Sequence, residues 1–179
     1  QPFTTILINS NFNSFKYTKV WNKVFAGNFV QATRRPLCTH EDVLIFCFDK
    51  TLPNYYPQKQ ERAVPITKGG NKQSTAIPIA QTKNAKEFGS SKKVYHDKNP
   101  ITIITYSNRL DKRGLHPTQK PIALMEYLIK TYSNEGDVVL DFCMGSGTTG
   151  VACKNLNRKF IGVEKEENYY NIAKERIGV

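Results

Sequence analysis

The stretch 137–164, "DVVLDFCMGSGTTGVACKNLNRKFIGVE", carries the most specific structural pattern of the sequence. An apolar run ends at Asp141, and a turn with Gly145 and Gly147 follows. A short helical segment then leads to a second apolar run that ends at Glu164. Glycines let the backbone approach a ligand closely, and the first N–H groups of a helix attract polar groups. An acidic residue roughly twenty positions beyond such a loop accepts hydrogen bonds from ribose hydroxyls. The pattern therefore predicts a site for a nucleotide-like cofactor. The alternative is a glycine turn that serves only tight packing of helix on strand.

The surrounding residues predict an alternation of helices and strands. "HPTQKPIALMEYLIKTY" at 116–132 has helical periodicity, with Pro121 in the first turn and Thr118 as the cap. One face of this helix is predicted to carry Ile122, Met125, Leu128, Ile129 and Tyr132. "VVLDF" is predicted as a buried strand, "RKFIGVE" as the next strand, and "EENYYNIAKERI" as a closing amphipathic helix. From residue 116 onward, this order is typical of a parallel sheet wound with helices, which places the chain in the α/β class.

The first half of the chain gives weaker patterns. "PFTTILINSNFNSF" fits either a helix or a buried strand, because its periodicity does not decide between them. Strands are predicted in "YTKVWNKV", "EDVLIFCFDK" and "ITIITYSN". From about residue 50 to residue 100, prolines at positions 53, 57, 65 and 78 and a "KGGNK" turn predict long loops with little regular structure.

Charge points to a polyanionic partner. The 179 residues include 26 Lys and Arg against 15 Asp and Glu, a formal net charge of +11. Residues 58–113 alone hold twelve Lys or Arg against four Asp or Glu, interleaved with aromatic residues. Such a segment suits contacts to a nucleic-acid backbone and stacking on bases. A solvated basic insertion is the alternative. No apolar run is long enough to span a membrane.

The cysteines indicate a reducing compartment. Cys38, Cys47, Cys143 and Cys153 form no C-x-x-C pair, and no histidine stands at zinc-ligand spacing, so no metal site is expected. We expect free thiols in a cytoplasmic protein, with a packing role for Cys143.

Two motifs together narrow the choice of cofactor. A dinucleotide oxidoreductase would fit the glycine loop, but that class usually begins with this unit, whereas here the unit closes the chain. "DFCMGSGTTG" followed by "FIGVE" resembles the S-adenosylmethionine loop of the DNA amino-methyltransferases. "HPTQKP" at 116–121 resembles the other cofactor motif of that family. The order of the two motifs is that of the permuted β group, which methylates adenine N6 or cytosine N4.

The resemblance implies roles for particular residues. Glu164 would bind the ribose and Phe142 would line the cofactor pocket, beside Asp141 at the end of its strand. The methionine part of the cofactor would be held through backbone N–H and hydroxyl groups of the loop residues Gly145, Ser146, Gly147 and Thr148. The amino-acid end of the cofactor would be covered by the "HPTQKP" motif, through His116, Thr118 and Lys120. The alternative is that His116 and Thr118 only cap the following helix. Trp21 falls in the segment that lines the base pocket, although a core tryptophan is equally expected there.

The resemblance also implies that a catalytic element is missing. The family uses a tetrapeptide of the type Asp-Pro-Pro-Tyr to bind the amino group of a flipped base. No two prolines are adjacent anywhere in this sequence, so no catalytic residue is assigned. In the family the tetrapeptide precedes the segment that begins "PFTTILINS". We therefore expect it before Gln1, together with strands whose absence leaves the sheet incomplete with unpaired edges.

The expected protein is a Rossmann-like α/β methyltransferase with permuted motifs and a loop-rich basic insertion. Residues 1–50 and 100–179 would form the partial core, and residues 51–99 the target-recognition insertion. The expected function is methyl transfer from S-adenosylmethionine to adenine N6 in double-stranded DNA, within restriction-modification. The chain alone is expected to bind the cofactor at best weakly and to be inactive. The alternatives are cytosine N4 as the target and a non-catalytic DNA-binding or regulatory subunit. The missing N-terminal part or a second copy would be a further partner. The lysines expected at DNA are Lys83, Lys86, Lys92 and Lys93.

Overall fold

The computed structural model describes residues 2–27, 29–48, 52–68, 92–109 and 115–179. The chain forms two compact units, Gln1–Gln58 with Ile101–Val179, and Lys59–Pro100. The helices are α1 (Pro2–Ser10), α2 (Ile122–Tyr132), α3 (Thr148–Asn155) and α4 (Glu167–Ile177). The strands are β1 (Phe15–Asn22), β2 (His40–Phe46), β3 (Gln60–Lys68), β4 (Lys93–Lys98), β5 (Ile103–Thr105), β6 (Val138–Asp141) and β7 (Lys159–Gly162).

A three-stranded sheet forms the first part of the larger unit. Its order is β2-β1-β5, with β1 antiparallel to β2 and parallel to β5. All three strands overlap segments for which strands were predicted, although β1 and β2 begin one or two residues earlier. Trp21, Ile104 and Leu124 form a buried cluster that joins this sheet to α2. The segment "PFTTILINS", which the sequence left undecided, is the helix α1, and none of its residues is buried.

The second part of the larger unit has the predicted order α2-β6-α3-β7-α4. β6 and β7 are parallel neighbours, and buried residues of α2 and α3 pack together, among them Ile129 and Cys153. The cap prediction was wrong, because α2 begins at Ile122 and Pro121 occupies the N-cap position. Thr118 instead contacts His116. No helix in the described part of the chain has both the length and the apolar character needed to cross a bilayer.

The prediction that "VVLDF" is a buried strand was wrong for one of its two faces. Val138 and Leu140 are 58% and 60% exposed, and Ile161 on the neighbouring strand is 54% exposed. Val139 and Phe160, on the opposite face, pack against the cluster that contains Ile129, Ala152 and Cys153. Side chains alternate between faces along a strand, so only one face is covered by α3 and its neighbours. Both faces of a parallel sheet are usually covered by other elements. The outer face of β6 and β7 is unusual because it is apolar and yet exposed.

Adjacent residues of β6 offer a direct test of this asymmetry. We expect Val139→Ala to lower the free energy of unfolding by about 2 kcal/mol, since it removes packed methyl groups. Leu140→Ala should change it by less than about 0.5 kcal/mol, because that side chain lies on the surface. Urea denaturation of the 179-residue chain measures both. Equal losses would mean that the outer face is covered in solution.

The smaller unit corrects the prediction of loops between residues 50 and 100. β3 and β4 pair in an antiparallel sheet, with an irregularity in register between Glu61 and Ile66. Pro65 lies within this irregular part, where a residue without an N–H group is tolerated in a strand. Many charged residues and this proline obscure the strand pattern in the sequence. Residues 69–91, also predicted as loop, lie outside the described residues.

Candidate cofactor site

The glycine turn joins the end of β6 to the start of α3. Gly145 and Gly147 both have left-handed backbone angles, with φ values of 52° and 77°. The Gly147 N–H donates to the Met144 carbonyl at 2.9 Å, and the Gly147 carbonyl accepts the first helical bond from Val151. Residues with a Cβ rarely adopt this conformation, so glycine at both positions permits the sharp entry into the helix.

Asp141 anchors the turn at the C-terminal end of β6. Its carboxylate accepts a hydrogen bond from Thr149 Oγ1 at 2.6 Å and another from the Cys143 N–H at 3.1 Å. The two bonds tie the start of the turn to the first turn of α3. Asp141 thus lies in the predicted site and holds the shape of the loop.

The structure contradicts the packing role predicted for Cys143, because this residue is exposed. Desolvation by nearby atoms and the neighbouring carboxylates of Asp141 and Glu164 raise the pKa of its thiol. The thiol is therefore protonated at neutral pH, and it is not an activated nucleophile. Cys153 is buried in α3, and its pKa is raised by burial to about 11.

Glu164, two residues after β7, lies directly against the glycine turn. Its Oε2 accepts a hydrogen bond from the Gly145 N–H at 2.8 Å. Its Oε1 accepts from the N–H groups of Lys165 and Glu166 at 2.9 and 3.0 Å. The hydrogen bond from Glu166, followed by those from Gly145 and Lys165, holds the pKa of Glu164 below its usual range despite an opposing desolvation effect. Glu164, the residue predicted to bind the ribose, is therefore an ionised carboxylate beside the glycine turn.

Arg176 of α4 donates hydrogen bonds to the turn, a role that no pattern in the sequence predicted. Its Nη1 donates to the Ser146 carbonyl and Oγ, the latter at 2.9 Å, and lies 3.4 Å from Thr148 Oγ1. Ser146 and Thr148 are 2% and 6% exposed. Their hydroxyls are thus engaged inside the protein, and the ligand contact predicted for them rests on their backbone N–H groups. The basic last turn of α4 was the only available hint, and it is common in helices.

His116 connects the two predicted motifs. A Cβ at Gly145 would lie 3.2 Å from the His116 ring, and the Tyr169 ring lies 4.3 Å away between centroids. His116 Nδ1 accepts the Thr118 N–H at 3.3 Å and lies 3.1 Å from Thr118 Oγ1. "HPTQKP" and "DFCMGSGTTG", separated by some twenty residues in the sequence, therefore meet in space.

A cavity of about 860 Å³ opens beside His116. Thr118, Lys120 and Trp21 line it, together with Glu41 of β2. Lys120 Nζ lies 2.7 Å from Glu41 Oε2 and 5.3 Å from the centre of the Trp21 ring. Trp21 is only 3% exposed, and its Nε1 donates to the Tyr106 carbonyl at 2.8 Å. The structure thus places Trp21 in the core and at the cavity wall; its contact with a base stays a prediction.

Of the other residues in the predicted set, the structure describes Phe142, Lys92 and Lys93. Phe142 follows β6 and is 77% exposed, and its contact with the cofactor stays a prediction. Lys92 and Lys93 are exposed in the smaller unit, at the start of β4. Lys83 and Lys86 lie outside the described residues. No group of three or more His, Cys, Asp or Glu residues in the described ranges is arranged to hold a metal ion.

Comparison with known proteins places these features in a family. A family model described as DNA methylase matches residues 3–175. Type II methyltransferase M.HpaI of Haemophilus parainfluenzae is 35% identical over 167 residues, which is 90% of this chain and 45% of that protein. The chain therefore spans less than half the length of this relative.

Solved structures agree with the fold. The crystal structure of the M1.HpyAVI–SAM complex matches with a TM-score of 0.62 and 27% identity, covering 99% of this chain and 69% of that one. The PvuII DNA methyltransferase, which is cytosine-N4-specific, matches with a TM-score of 0.61, covering 98% of this chain and 56% of that one. At 17% identity it shows the fold alone. The expected Rossmann-like methyltransferase fold is confirmed, and the chain belongs to the N6/N4 family of DNA methylases.

Proposed function

We propose that this chain is the cofactor-binding and target-recognition portion of a site-specific DNA methyltransferase. The reaction is transfer of a methyl group from S-adenosylmethionine to the N6 amino group of adenine. Cytosine N4 is the alternative target, and no residue of this chain distinguishes the two. The observation that supports the proposal most is the Glu164 carboxylate, 2.8 Å from the backbone nitrogen of Gly145 in the glycine turn.

The residues around the turn fit an adenosine cofactor with an amino-acid end. Glu164 would bind the ribose hydroxyls, and the backbone of Gly145 and Gly147 would allow close approach of the ligand. His116, Thr118 and Lys120 would hold the amino-acid end, with Phe142 at the edge of the pocket. When bound, S-adenosylmethionine supplies an electrophilic methyl group on its sulfonium.

A calorimetric titration tests the cofactor assignment. The 179-residue chain should bind S-adenosylmethionine and should show no heat of binding with NAD. A dinucleotide oxidoreductase would give the opposite preference. Binding of neither compound would remove the cofactor site from the proposal and leave a non-catalytic DNA-binding subunit as the better description.

Catalysis requires a part that these 179 residues do not contain. The sequence has no adjacent prolines, and hence no Asp-Pro-Pro-Tyr tetrapeptide. We expect no transfer of labelled methyl from S-adenosylmethionine to duplex DNA by the purified chain. Detectable transfer would contradict this and would require another group to bind the target amine. The exposed face with Val138, Leu140 and Ile161 suits a surface that the rest of the enzyme, or a second copy, would cover.

We assign DNA contact to the smaller unit, Lys59–Pro100. It contains nine Lys or Arg against three Asp or Glu. Lys68 and Lys93 are opposite each other in the pairing of β3 and β4, and both are exposed. Like charges that face each other across strands are destabilising unless an anion lies between them. A phosphate of the DNA backbone would supply that anion, so Lys68 joins the lysines expected at DNA.

The salt dependence of binding checks this surface. Double substitution of Lys68 and Lys93 by glutamine should make the slope of log affinity against log salt less steep by about 1.8, the value for two phosphate contacts. Fluorescence anisotropy with a labelled duplex measures the slope. Lys59→Gln is the matched control, because Lys59 Nζ is already paired with Asp97 at 2.9 Å. An unchanged slope in the double variant would exclude this pair from the interface.

A further inference from the structure

The cavity beside His116 contains an ion-pair network that neither cofactor motif predicts. Glu41 lies on β2 directly opposite Trp21 of β1. Its Oε2 lies 2.7 Å from Lys120 Nζ, and its Oε1 lies 3.4 Å from Lys23 Nζ. All four residues line the same cavity. Glu41 therefore contacts two lysines, Lys23 and Lys120, in a cavity that Trp21 also lines.

The network favours the ionised form of Glu41. Partial burial opposes ionisation of Glu41, yet the hydrogen bonds and positive charges of Lys120 and Lys23 hold its pKa below the usual range. Lys120 is placed between the Glu41 carboxylate and the face of the Trp21 ring. The side chains of Glu41 and Lys120 are 41% and 40% exposed, so both remain open to a ligand in the cavity.

The charges in the cavity are complementary to those of a free α-amino acid. An α-amino acid carries an ammonium and a carboxylate on one carbon, at a spacing similar to that of two side chains in a contacting ion pair. Glu41 and Lys120 present a carboxylate and an ammonium side by side, and Lys23 adds a second positive charge. Each ligand charge could therefore meet an opposite charge in the cavity, as charge-assisted hydrogen bonds require.

We propose that Glu41 binds the α-ammonium of the cofactor's amino-acid end, next to Lys120, which binds its α-carboxylate. This assignment rests on the proposed S-adenosylmethionine site and adds a residue from outside both motifs. Three ligands distinguish the role of the ammonium from that of the carboxylate. S-adenosylmethionine carries both groups, its decarboxylated form keeps only the ammonium, and methylthioadenosine has neither.

Calorimetry with these ligands and two variants of the chain tests the proposal. Glu41→Gln should weaken S-adenosylmethionine and its decarboxylated form about tenfold, the loss expected for one charge-assisted bond. Lys120→Gln should weaken only S-adenosylmethionine and should remove the preference over the decarboxylated form. Methylthioadenosine should bind both variants as it binds the unmodified chain.

The control is Glu126→Gln, at a carboxylate of α2 that accepts a hydrogen bond from Asn155 and does not line this cavity. It should leave all three affinities unchanged. An equal loss for all three ligands in Glu41→Gln would show a purely structural role and overturn the assignment. Unchanged binding of the decarboxylated form in that variant would also overturn it. If the unmodified chain binds methylthioadenosine but not S-adenosylmethionine, the adenosine site stands and the amino-acid site fails.

Discussion

Replacing Glu164 with alanine is expected to weaken S-adenosylmethionine binding about 100-fold, the loss for two charge-assisted hydrogen bonds to a ribose. The variant also removes the acceptor of the Gly145 N–H, so the turn loses one of its anchors. Calorimetric titration of the chain measures the affinity. Glu166→Ala is the matched control, since its side chain is exposed and only its backbone N–H contacts Glu164. Equal losses in both variants would contradict a specific ribose contact.

The pH dependence of the same residue has a definite sign. The pKa of Glu164 in the folded chain lies below its ordinary value of 4.5. A depressed pKa means that its stabilising bonds are fully present above pH 4.5 and are lost as the pH falls below that value. We expect the free energy of unfolding to decrease less steeply below pH 4.5 in Glu164→Ala than in the unmodified chain. An identical decrease would mean that the carboxylate contributes nothing to the stability of the turn.

Replacing Gly147 with alanine is expected to lower the free energy of unfolding by about 3 kcal/mol, the sum of backbone strain and overpacking. A Cβ at this position would lie 2.8 Å from Ala173 Cβ and 3.0 Å from its Cα. Because one of these atoms is backbone, α4 itself would have to move, and Arg176 with it. Urea denaturation measures the loss, and weaker cofactor binding should accompany it.

Gly136 supplies the control for strain alone. Its φ of 82° is close to the 77° of Gly147, yet within the described residues no atom beyond its two chain neighbours lies within 4 Å of a Cβ built there. Gly136→Ala should therefore lower the free energy of unfolding by only about 1 kcal/mol. The difference between the two variants isolates the packing of α4 against the turn. Equal losses would mean that this packing contributes nothing to the free energy of unfolding.

Elements whose patterns are local were predicted well. α2, α3 and α4 and the strands β6 and β7 follow from periodicity and from glycine at the turn, because each depends on residues close in sequence. The position of Glu164 beside the turn was likewise expected, although its hydrogen bond from the Gly145 N–H was not. In a parallel pair of strands, the two C-terminal ends lie at the same edge of the sheet.

Other features depend on partners that are distant in sequence. Glu41 precedes Lys120 by 79 residues, and Arg176 follows Ser146 by 30, so no local pattern marks either pair. The exposed face of β6 was missed for a related reason, since an apolar run is compatible with one covered face or with two. The pairing of β3 with β4 was hidden by charges and by Pro65.

The sequence by itself determined the order of helices and strands from residue 116 onward, the glycine turn and the acidic residue that serves it. These depend on backbone conformation and on the period of apolar residues, which short segments encode. Only the tertiary structure decided that His116 contacts the turn, that Arg176 engages the hydroxyls of Ser146 and Thr148, and that Glu41 joins Lys120 in one cavity. Such contacts depend on how separate elements pack, because packing brings together charges and rings that no local spacing relates.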